Sequence, residues 1–200
     1  MGIQGICMKT QQRPTYSFLI LVIGLIIINT ILARVAVLIS PTGTSGVSWG
    51  YFAIAFMIVF TLWFGAYGAI AAYVGGFLGA GVLSGISPQV SLYWSLASLW
   101  QVLIPLVAFR VFEADVGIEN RRDLFHLILF GVILNNVIGA AWGSITMAVG
   151  NVIEFSQIMS VFIPWLLGNM IITMIIVLPV LHYCTPRVRK SKVFVRNYWD

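Results

Sequence analysis

The stretch of sequence that decides the fold covers residues 49–83 and reads WGYFAIAFMIVFTLWFGAYGAIAAYVGGFLGAGVL. It contains no charged side chain, and the uncharged region around it extends over residues 35–109. As one continuous helix the stretch would be about 50 Å long, against about 30 Å for the hydrocarbon core of a bilayer. We therefore predict two helices, over residues 49–62 and 64–83, with a break near Gly65. The first helix is short, so both a tilted span and a re-entrant segment stay open.

The composition excludes an ordinary soluble domain. Charged residues make up 8% of the 200 residues and hydrophobic residues make up 60%, whereas a soluble domain carries roughly 25% charged residues. The net charge is +5, and five of the eleven basic residues lie within residues 187–196, directly after the last apolar run. Basic clusters in that position are typical of anchors to anionic lipid. We therefore expect membrane lipid rather than nucleic acid as the partner of this cluster.

The remaining apolar runs predict four more membrane spans, because each is close to the length that a helix needs to cross a bilayer. They cover residues 17–39, 92–112, 124–149 and 157–183. The predicted fold class is an all-α integral membrane bundle of about six transmembrane helices. Six spans place both termini on the same side as Arg121 and Arg122, and the positive-inside rule assigns that side to the cytoplasm.

This topology divides the chain into three parts. Residues 1–16 form a cytoplasmic N-terminal segment, residues 17–183 the transmembrane helical domain, and residues 184–200 a basic cytoplasmic tail. No small-residue cleavage site follows the first apolar run, so we interpret that run as a retained helix rather than a signal peptide. The predicted location is the cell membrane, which the chain crosses several times.

No catalytic or metal-binding pattern is present in the sequence. His126 and His182 have no Cys, Asp or Glu at ligand spacing on the same helix face, and we interpret both as interfacial histidines. Neither a phosphate-binding P-loop nor an H-E-x-x-H motif occurs. The sequence therefore predicts no enzymatic activity, no cofactor and no metal, and any ATP hydrolysis would come from a partner chain.

Polar and aromatic side chains in the spans and the outer loops are the candidate ligand contacts. Charged and amide groups inside a membrane are costly and are functional candidates by default. The candidate substrate-binding residues are Arg34, Trp49, Trp94, Asn135, Trp142, Asn151, Glu154, Trp165 and Asn169. Other interpretations stay open: an interfacial belt for the aromatic residues, hydrogen bonds between helices for the asparagines, and a structural ion pair between Arg34 and Glu154.

Glycines in the third predicted span form a stripe of small side chains. Gly68, Gly75, Gly76 and Gly79 include pairs that lie three or four residues apart. Such stripes allow the backbones of two membrane helices to approach closely. We interpret the stripe as a packing surface within the bundle rather than as a ligand contact.

The pattern Trp63-Phe-Gly65-x-x-Gly68-Ala-x-x-Ala-x-x-Gly75-Gly, together with six predicted spans, resembles the substrate-binding S components of energy-coupling factor vitamin transporters. The resemblance implies a small membrane protein that captures a vitamin or a related nutrient from outside. It also implies that the protein topples in the membrane as it docks to a transmembrane coupling subunit driven by two ATPase subunits. The ligand would lie in the outer half, under the loop between the first two helices, here residues 40–48.

A second resemblance indicates a different class of function. Residues 49–79 and the later pattern Trp165-x-x-Gly168-Asn169 … Pro179 are similar to the membrane-embedded sensor domains of bacterial signalling proteins. This resemblance implies a sensory or structural membrane module without transport. Such sensor domains continue into a kinase, phosphatase or cyclase, which the sequence after the last span does not contain, so transport is the leading expectation.

Overall fold

The computed structural model describes residues 16–39 and 47–195, and this part of the chain is all-helical. Within these residues six helices follow one another: α1 (Tyr16–Ile39), α2 (Ala53–Phe64), α3 (Ala66–Ser84), α4 (Pro88–Val111), α5 (Arg121–Val149) and α6 (Phe155–Val188). All except α2 are long and apolar enough to cross a membrane, which is the pattern of a multi-pass membrane protein. Residues 1–15 of the predicted N-terminal segment 1–16, residues 40–46 of the predicted loop, and residues 196–200 of the predicted tail lie outside the described residues.

The connections between helices gather at two ends of the bundle. At the cavity end, the segment 47–51 shares a small cavity with Trp94 and Trp165. At the basic end, Arg189 forms an ion pair with Asp115.

A single residue, Gly65, joins α2 to α3. Gly65 has φ +57° and ψ −126°, a combination that is unfavourable for any residue with a Cβ atom. Its N–H donates to the carbonyl oxygen of Thr61 at 2.7 Å. The two helices then pack so closely that a Cβ atom on Gly68 would lie 2.6 Å from the carbonyl oxygen of Phe60. The predicted break near Gly65 is confirmed.

The short helix α2 lies in the interior of the bundle. It has 12 residues, ten of them buried, and it contacts α1, α3, α4 and α6. Its length of about 18 Å is less than the about 30 Å of a hydrocarbon core. The predicted helix start at residue 49 is wrong, because residues 49–52 form turns in which the N–H of Phe52 donates to the carbonyl oxygen of Gly50 at 2.8 Å.

Replacing Gly65 with alanine is expected to lower the free energy of unfolding by about 2 kcal/mol, because the new Cβ atom strains the observed backbone conformation. A matched control is Gly24→Ala in α1, where a Cβ atom meets nothing within 4 Å. That alanine should stabilise its helix by about 0.5 to 1 kcal/mol. Thermal unfolding of both variants in detergent checks the opposite signs, and equal melting temperatures would contradict this account of the turn.

The glycine stripe of α3 faces three helices: Gly68 packs against α2, as described above, and the other glycines face α1 and α4. A Cβ atom on Gly75 would lie 2.5 Å from the Cβ atom of Asn29, and one on Gly79 would lie 2.4 Å from a backbone oxygen of α1. On the other side, a Cβ atom on Gly76 would lie 2.7 Å from the hydroxyl oxygen of Ser98 in α4. The interpretation of the stripe as a packing surface is confirmed.

Helix α6 buries every fourth residue over almost its whole length. The buried residues are Val161, Trp165, Asn169, Thr173, Val177, Leu181 and Thr185. A repeat of four residues exceeds the 3.6 residues in one turn of a straight helix. The row of buried residues therefore winds around α6, or α6 itself wraps around the bundle in a right-handed sense. One row of side chains therefore runs from the cavity end toward the basic end, and it includes polar groups.

The end of α6 packs against the rest of the bundle, so the helix is longer than the sequence predicts. Thr185 is buried, and its hydroxyl accepts a hydrogen bond from the indole N–H of Trp63 at 3.0 Å. Beyond the helix, Arg189 forms its ion pair with Asp115, and the N–H of Val195 donates to the carbonyl oxygen of Trp63 at 3.0 Å. The first part of the predicted basic tail is therefore an integral part of the fold.

Candidate functional site

A small cavity lies at the cavity end, between the segment 47–51 and helices α4 and α6. Its lining residues are Val47, Ser48, Tyr51, Trp94, Ala97, Ser98 and Trp165. Its volume is about 10 Å³, which is close to the least space that can hold one water molecule. The cavity therefore has room for little more than one water molecule in this conformation.

The segment 47–51 is held over the cavity by close contact between its backbone and α6. A Cβ atom on Gly168 would lie 1.8 Å from the carbonyl oxygen of Trp49, so the contact requires glycine. The indole of Trp49 is largely exposed, and the N–H of Gly50 donates to the hydroxyl of Ser48 at 3.2 Å. The position of the segment thus depends on backbone packing rather than on the indole of Trp49.

Trp94 and Trp165 form the aromatic wall of the cavity. Their ring centroids are 5.7 Å apart and their planes meet at 62°, an edge-to-face arrangement that aromatic pairs favour. Trp165 packs against Gly143 of α5, where a Cβ atom would lie 2.3 Å from the ring. Trp94 is the last residue of the first segment of α4, just before an irregularity at Ser95.

Three hydrogen-bond donors at the cavity have no partner among residues 16–39 and 47–195: the hydroxyl of Tyr51 and the indole N–H groups of Trp94 and Trp165. The three side chains are only 8%, 5% and 7% exposed. A buried polar group without a partner costs about 1 to 3 kcal/mol, and native proteins contain few of them. Burial also raises the pKa of the Tyr51 phenol, so this group stays protonated as a donor. The residues that line the cavity therefore carry three donors without a partner in the described part of the chain, and no lining residue is charged.

Two more polar side chains continue inward from the cavity along α6. Asn169 and Thr173 follow Trp165 at intervals of four residues on the buried row. Both are completely buried, and neither the amide of Asn169 nor the hydroxyl of Thr173 has a partner within the described part of the chain. Asn169, a predicted site residue, therefore lies one helical turn below the cavity lining.

The paired asparagines of α5 bond to α4. The side-chain amide of Asn135 donates to the backbone oxygen of Gln101 at 3.2 Å, and the amide of Gln101 donates to Asn136 at 2.7 Å. A Cβ atom on Gly139 would lie 2.2 Å from the Gln101 side chain, so the helices are in close contact here. Both asparagines thus form the hydrogen bonds between helices that the sequence left open, although the side-chain oxygen of Asn135 is buried without a partner among the described residues. The predicted residue Asn135 lies outside the cavity lining.

Arg34 and Glu154 each bond to a serine instead of to one another. The guanidinium of Arg34 donates to the hydroxyl of Ser84 at 3.0 Å. The carboxylate of Glu154 is exposed and accepts a hydrogen bond from the hydroxyl of Ser156 at 3.1 Å. The structural ion pair that the sequence left open is therefore not formed, and both residues lie outside the cavity lining.

Trp142, Asn151 and Trp49 also lie outside the lining. The indole N–H of Trp142 donates to the backbone oxygen of Tyr93 at 2.9 Å. Asn151 has φ +55°, in the left-handed region that asparagine tolerates better than most residues. Trp94 and Trp165 are the predicted residues that the structure brings together at the cavity, and a ligand-contact role for each predicted residue stays a prediction.

Tyr51 and Ser98 are cavity residues that the sequence analysis missed. Ser98 follows Trp94 by four residues, a spacing that places both on one face of a helix, so this signal was present in the sequence. The sequence predicts Tyr51 inside a helix that begins at residue 49. Its position in a turn above the cavity depends on the later start of α2, which the sequence did not reveal.

No group of three His, Cys, Asp or Glu side chains that could hold a metal ion exists in the described ranges. Comparison of the chain with protein-family models, curated proteins and solved structures finds no match. The functional inference therefore depends on the cavity and on the residues around it.

Proposed function

We propose that the chain is the substrate-binding membrane subunit of a nutrient uptake transporter and that its ligand binds at the cavity end. The observation that carries the proposal is the set of three buried donors without a partner, on Tyr51, Trp94 and Trp165. A ligand with acceptor atoms would satisfy these donors. Binding would then recover part of the about 1 to 3 kcal/mol that each unpartnered group costs the free protein.

The lining favours an uncharged ligand that combines hydrogen-bond acceptors with a flat apolar ring. The donors call for carbonyl oxygens or ring nitrogens on the ligand, and the two indoles offer aromatic surface on which a flat ring can pack. Arg34 and Glu154 would have suited an anionic or a cationic group, but both bond to serines away from the lining. A small organic nutrient of the vitamin type meets these requirements.

Ligand entry requires the segment 47–51 to move. The present cavity of about 10 Å³ is far smaller than the about 300 Å³ of the smallest typical ligand sites. The segment rests on α6 through the contact between Trp49 and Gly168, so separation of these two backbones would open the site. This segment includes the end of the loop that the resemblance to S components places above the ligand.

The distribution of basic residues supports an orientation with the basic end in the cytoplasm. This end carries Arg121 and Arg122 at the start of α5, and Arg189, Lys190 and Lys192 after α6. Short cytoplasmic segments and the adjoining helix ends carry an excess of such residues. Both termini would then be cytoplasmic, and the cavity would face the outside of the cell membrane. A transmembrane coupling subunit and ATPase subunits would supply the energy, so this chain needs no enzymatic activity, and nucleic acid has no role.

Thermal stabilisation tests the ligand-binding part of the proposal. The protein is purified in detergent and screened with uncharged vitamin-like compounds. A compound that binds only the folded state at 100 times its dissociation constant stabilises that state by about 2.7 kcal/mol, which gives a measurable rise in melting temperature. A screen without any shift would reject a ligand site of this chemistry.

Co-purification tests the transport part of the proposal. A tagged chain isolated from membranes is expected to bring down a coupling subunit and ATPase subunits. The chain could instead bind a compound in the thermal screen and yet be isolated without such subunits. That result would favour the alternative, a sensory membrane module without transport. Failure of the ligand-binding part and failure of the transport part of the proposal are therefore distinguishable.

A further inference from the structure

Beneath the cavity, the core of the bundle contains a second group of buried polar side chains. Helices α4 and α6 each contact α2 and α5, so the four helices enclose a common interior. Asn169 and Thr173 of α6 and Asn135 of α5 are completely buried. Within residues 16–39 and 47–195, the amide of Asn169, the hydroxyl of Thr173 and the side-chain oxygen of Asn135 have no hydrogen-bond partner. Native proteins contain few such groups, so three of them in one interior indicate a site.

The register of α4 and α6 places Asn169 at the depth of the cavity floor. Both helices begin at the cavity end, where Trp94 of α4 meets Trp165 of α6. Four residues further along, each helix has advanced by about 6 Å, to Ser98 on α4 and to Asn169 on α6. Ser98 is part of the cavity lining, so Asn169 lies at the depth of a residue that lines the cavity.

The other two polar groups lie about one helical turn deeper. Thr173 follows Asn169 on the buried row of α6. On α5, which runs antiparallel to α6, Gly143 packs against Trp165, and Asn135 precedes Gly143 by as many residues as Thr173 follows Trp165. This register places Asn135 within about one turn of the depth of Thr173. The unpartnered groups therefore continue from the cavity lining toward the centre of the bundle.

The deeper groups differ from the lining in their hydrogen-bonding character. The unpartnered groups of the lining are the donors of Tyr51, Trp94 and Trp165. The amide of Asn169 offers an acceptor as well as a donor, and the free oxygen of Asn135 is an acceptor. A carboxamide group on a ligand also combines one acceptor with one donor, so it can form two hydrogen bonds with the amide of Asn169. A ketone in its place would leave the oxygen of Asn169 without a donor.

We propose that Asn169 is the specificity-determining residue of the ligand site and pairs with a carboxamide group on an uncharged ligand with a flat ring. The lining residues of α4 at this depth, Ala97 and Ser98, have small side chains, so little bulk from α4 separates the cavity from Asn169. This inference rests on the proposed function, because it requires a ligand at the cavity end. It narrows the substrate class to rings that carry an N–H donor in addition to acceptors.

Thermal stabilisation by matched pairs of compounds tests the proposal. Nicotinamide and benzamide carry a carboxamide on a flat ring, and in the matched ketones a methyl group replaces the NH2 group with little change of shape. Each carboxamide should bind the unchanged protein in detergent at least about fivefold more tightly than its ketone, because the ketone leaves a buried acceptor unsatisfied. In Asn169→Leu this preference should disappear.

Asn136→Leu is the matched control, because Asn136 is equally buried but bonded. Its oxygen accepts from the amide of Gln101 at 2.7 Å, and its amide donates to the backbone oxygen of Val132 at 2.8 Å. This variant should keep the preference for the carboxamide. Without a ligand it should melt below Asn169→Leu, which removes no hydrogen bond between described residues. Equal melting temperatures would mean that the amide of Asn169 is already satisfied, and would overturn the proposal.

Thr185→Val is a second, milder control near the far end of α6. The hydroxyl of Thr185 accepts from the indole N–H of Trp63 at 3.0 Å, far from the cavity. The substitution keeps the shape of the side chain and should preserve the preference for the carboxamide, which gives the same comparison if Asn136→Leu does not fold.

The outcomes separate this inference from the proposed function. Equal stabilisation of the unchanged protein by a carboxamide and its ketone, or a preference that survives in Asn169→Leu, overturns the inference and leaves the cavity as the ligand site. The same follows if the protein is stabilised by other compounds of the screen but by neither carboxamide, and water alone would then bond to Asn169. No stabilisation by any compound would overturn both the inference and the proposed ligand site.

Discussion

Gly168→Val is expected to lower the free energy of unfolding by more than about 3 kcal/mol. A Cβ atom at this position would lie 1.8 Å from the carbonyl oxygen of Trp49. Both partners in the contact are fixed, one on a helix and the other a backbone atom, so no change of rotamer relieves it. The valine must push the segment 47–51 away from α6, which exposes the cavity. Thermal unfolding in detergent, together with the fraction of monodisperse protein, measures the loss.

A valine at Gly24 is the control for this substitution. Gly24 also lies inside a helix, but a Cβ atom there has no neighbour within 4 Å. We therefore expect a change of less than about 1 kcal/mol in either direction, set by helix propensity alone. If Gly168→Val and Gly24→Val melted at the same temperature, the close contact between α6 and the segment 47–51 would be wrong.

Tyr51→Phe is expected to stabilise the free protein while it weakens ligand binding. The hydroxyl of Tyr51 is buried and has no partner among the described residues, so its removal should raise the free energy of unfolding by about 1 kcal/mol. Loss of this donor should weaken ligand binding roughly fivefold to 150-fold, since an unsatisfied buried acceptor on the ligand costs about 1 to 3 kcal/mol. Thermal unfolding and ligand titration measure the two effects on the same protein.

Tyr73→Phe is the matched control, because the hydroxyl of Tyr73 has a partner. It donates to the backbone oxygen of Leu92 at 3.0 Å, and the loss of such a bond costs about 0.5 to 1.5 kcal/mol. The two tyrosine variants should therefore shift the melting temperature in opposite directions. A loss of stability in Tyr51→Phe equal to that in Tyr73→Phe would mean that the hydroxyl of Tyr51 is already satisfied and has no unused capacity for a ligand.

The overall plan of the fold could be predicted because it depends on length and charge. The stretch 49–83 is too long for one span, and glycine stands where the chain must turn, so the break at Gly65 followed from the sequence alone. The start of α2 could not be predicted in the same way. Residues 49–52 are as apolar as the helix that follows, and only the packing of their backbone against Gly168 sets them apart.

The long-range contacts at the basic end could not be predicted from a single sequence. Trp63 and Thr185 are separated by 122 positions, and nothing in either local pattern indicates their hydrogen bond. The same bond explains why α6 continues past the predicted end. The buried row of every fourth residue also escaped prediction, because almost all of α6 is apolar and its pattern does not show which face is buried.

The types of residue at the candidate site could be predicted from the sequence. Which particular residues line the cavity could be predicted only in part. Trp94 and Trp165 stand at the right depth and meet at the cavity. Arg34 and Glu154 were predicted for their charge, but each bonds to a nearby serine, at 3.0 Å and 3.1 Å. Ser84 ends α3 and Ser156 lies at the start of α6, and neither local pattern shows that these serines bond to the two charged groups.

The central claim is that a ligand binds at the cavity of Tyr51, Trp94 and Trp165. Its most direct test is the rise in melting temperature that a ligand causes, measured for the unchanged protein, for Tyr51→Phe and for Glu154→Gln. The probes are the uncharged vitamin-like compounds of the screen. A compound that stabilises the unchanged protein should stabilise Glu154→Gln equally, because the carboxylate of Glu154 is exposed and lies outside the lining. The same compound at the same concentration should lose most of its effect on Tyr51→Phe. A full shift in Tyr51→Phe, or a loss confined to Glu154→Gln, would show that the ligand does not bind at the cavity of Tyr51, Trp94 and Trp165.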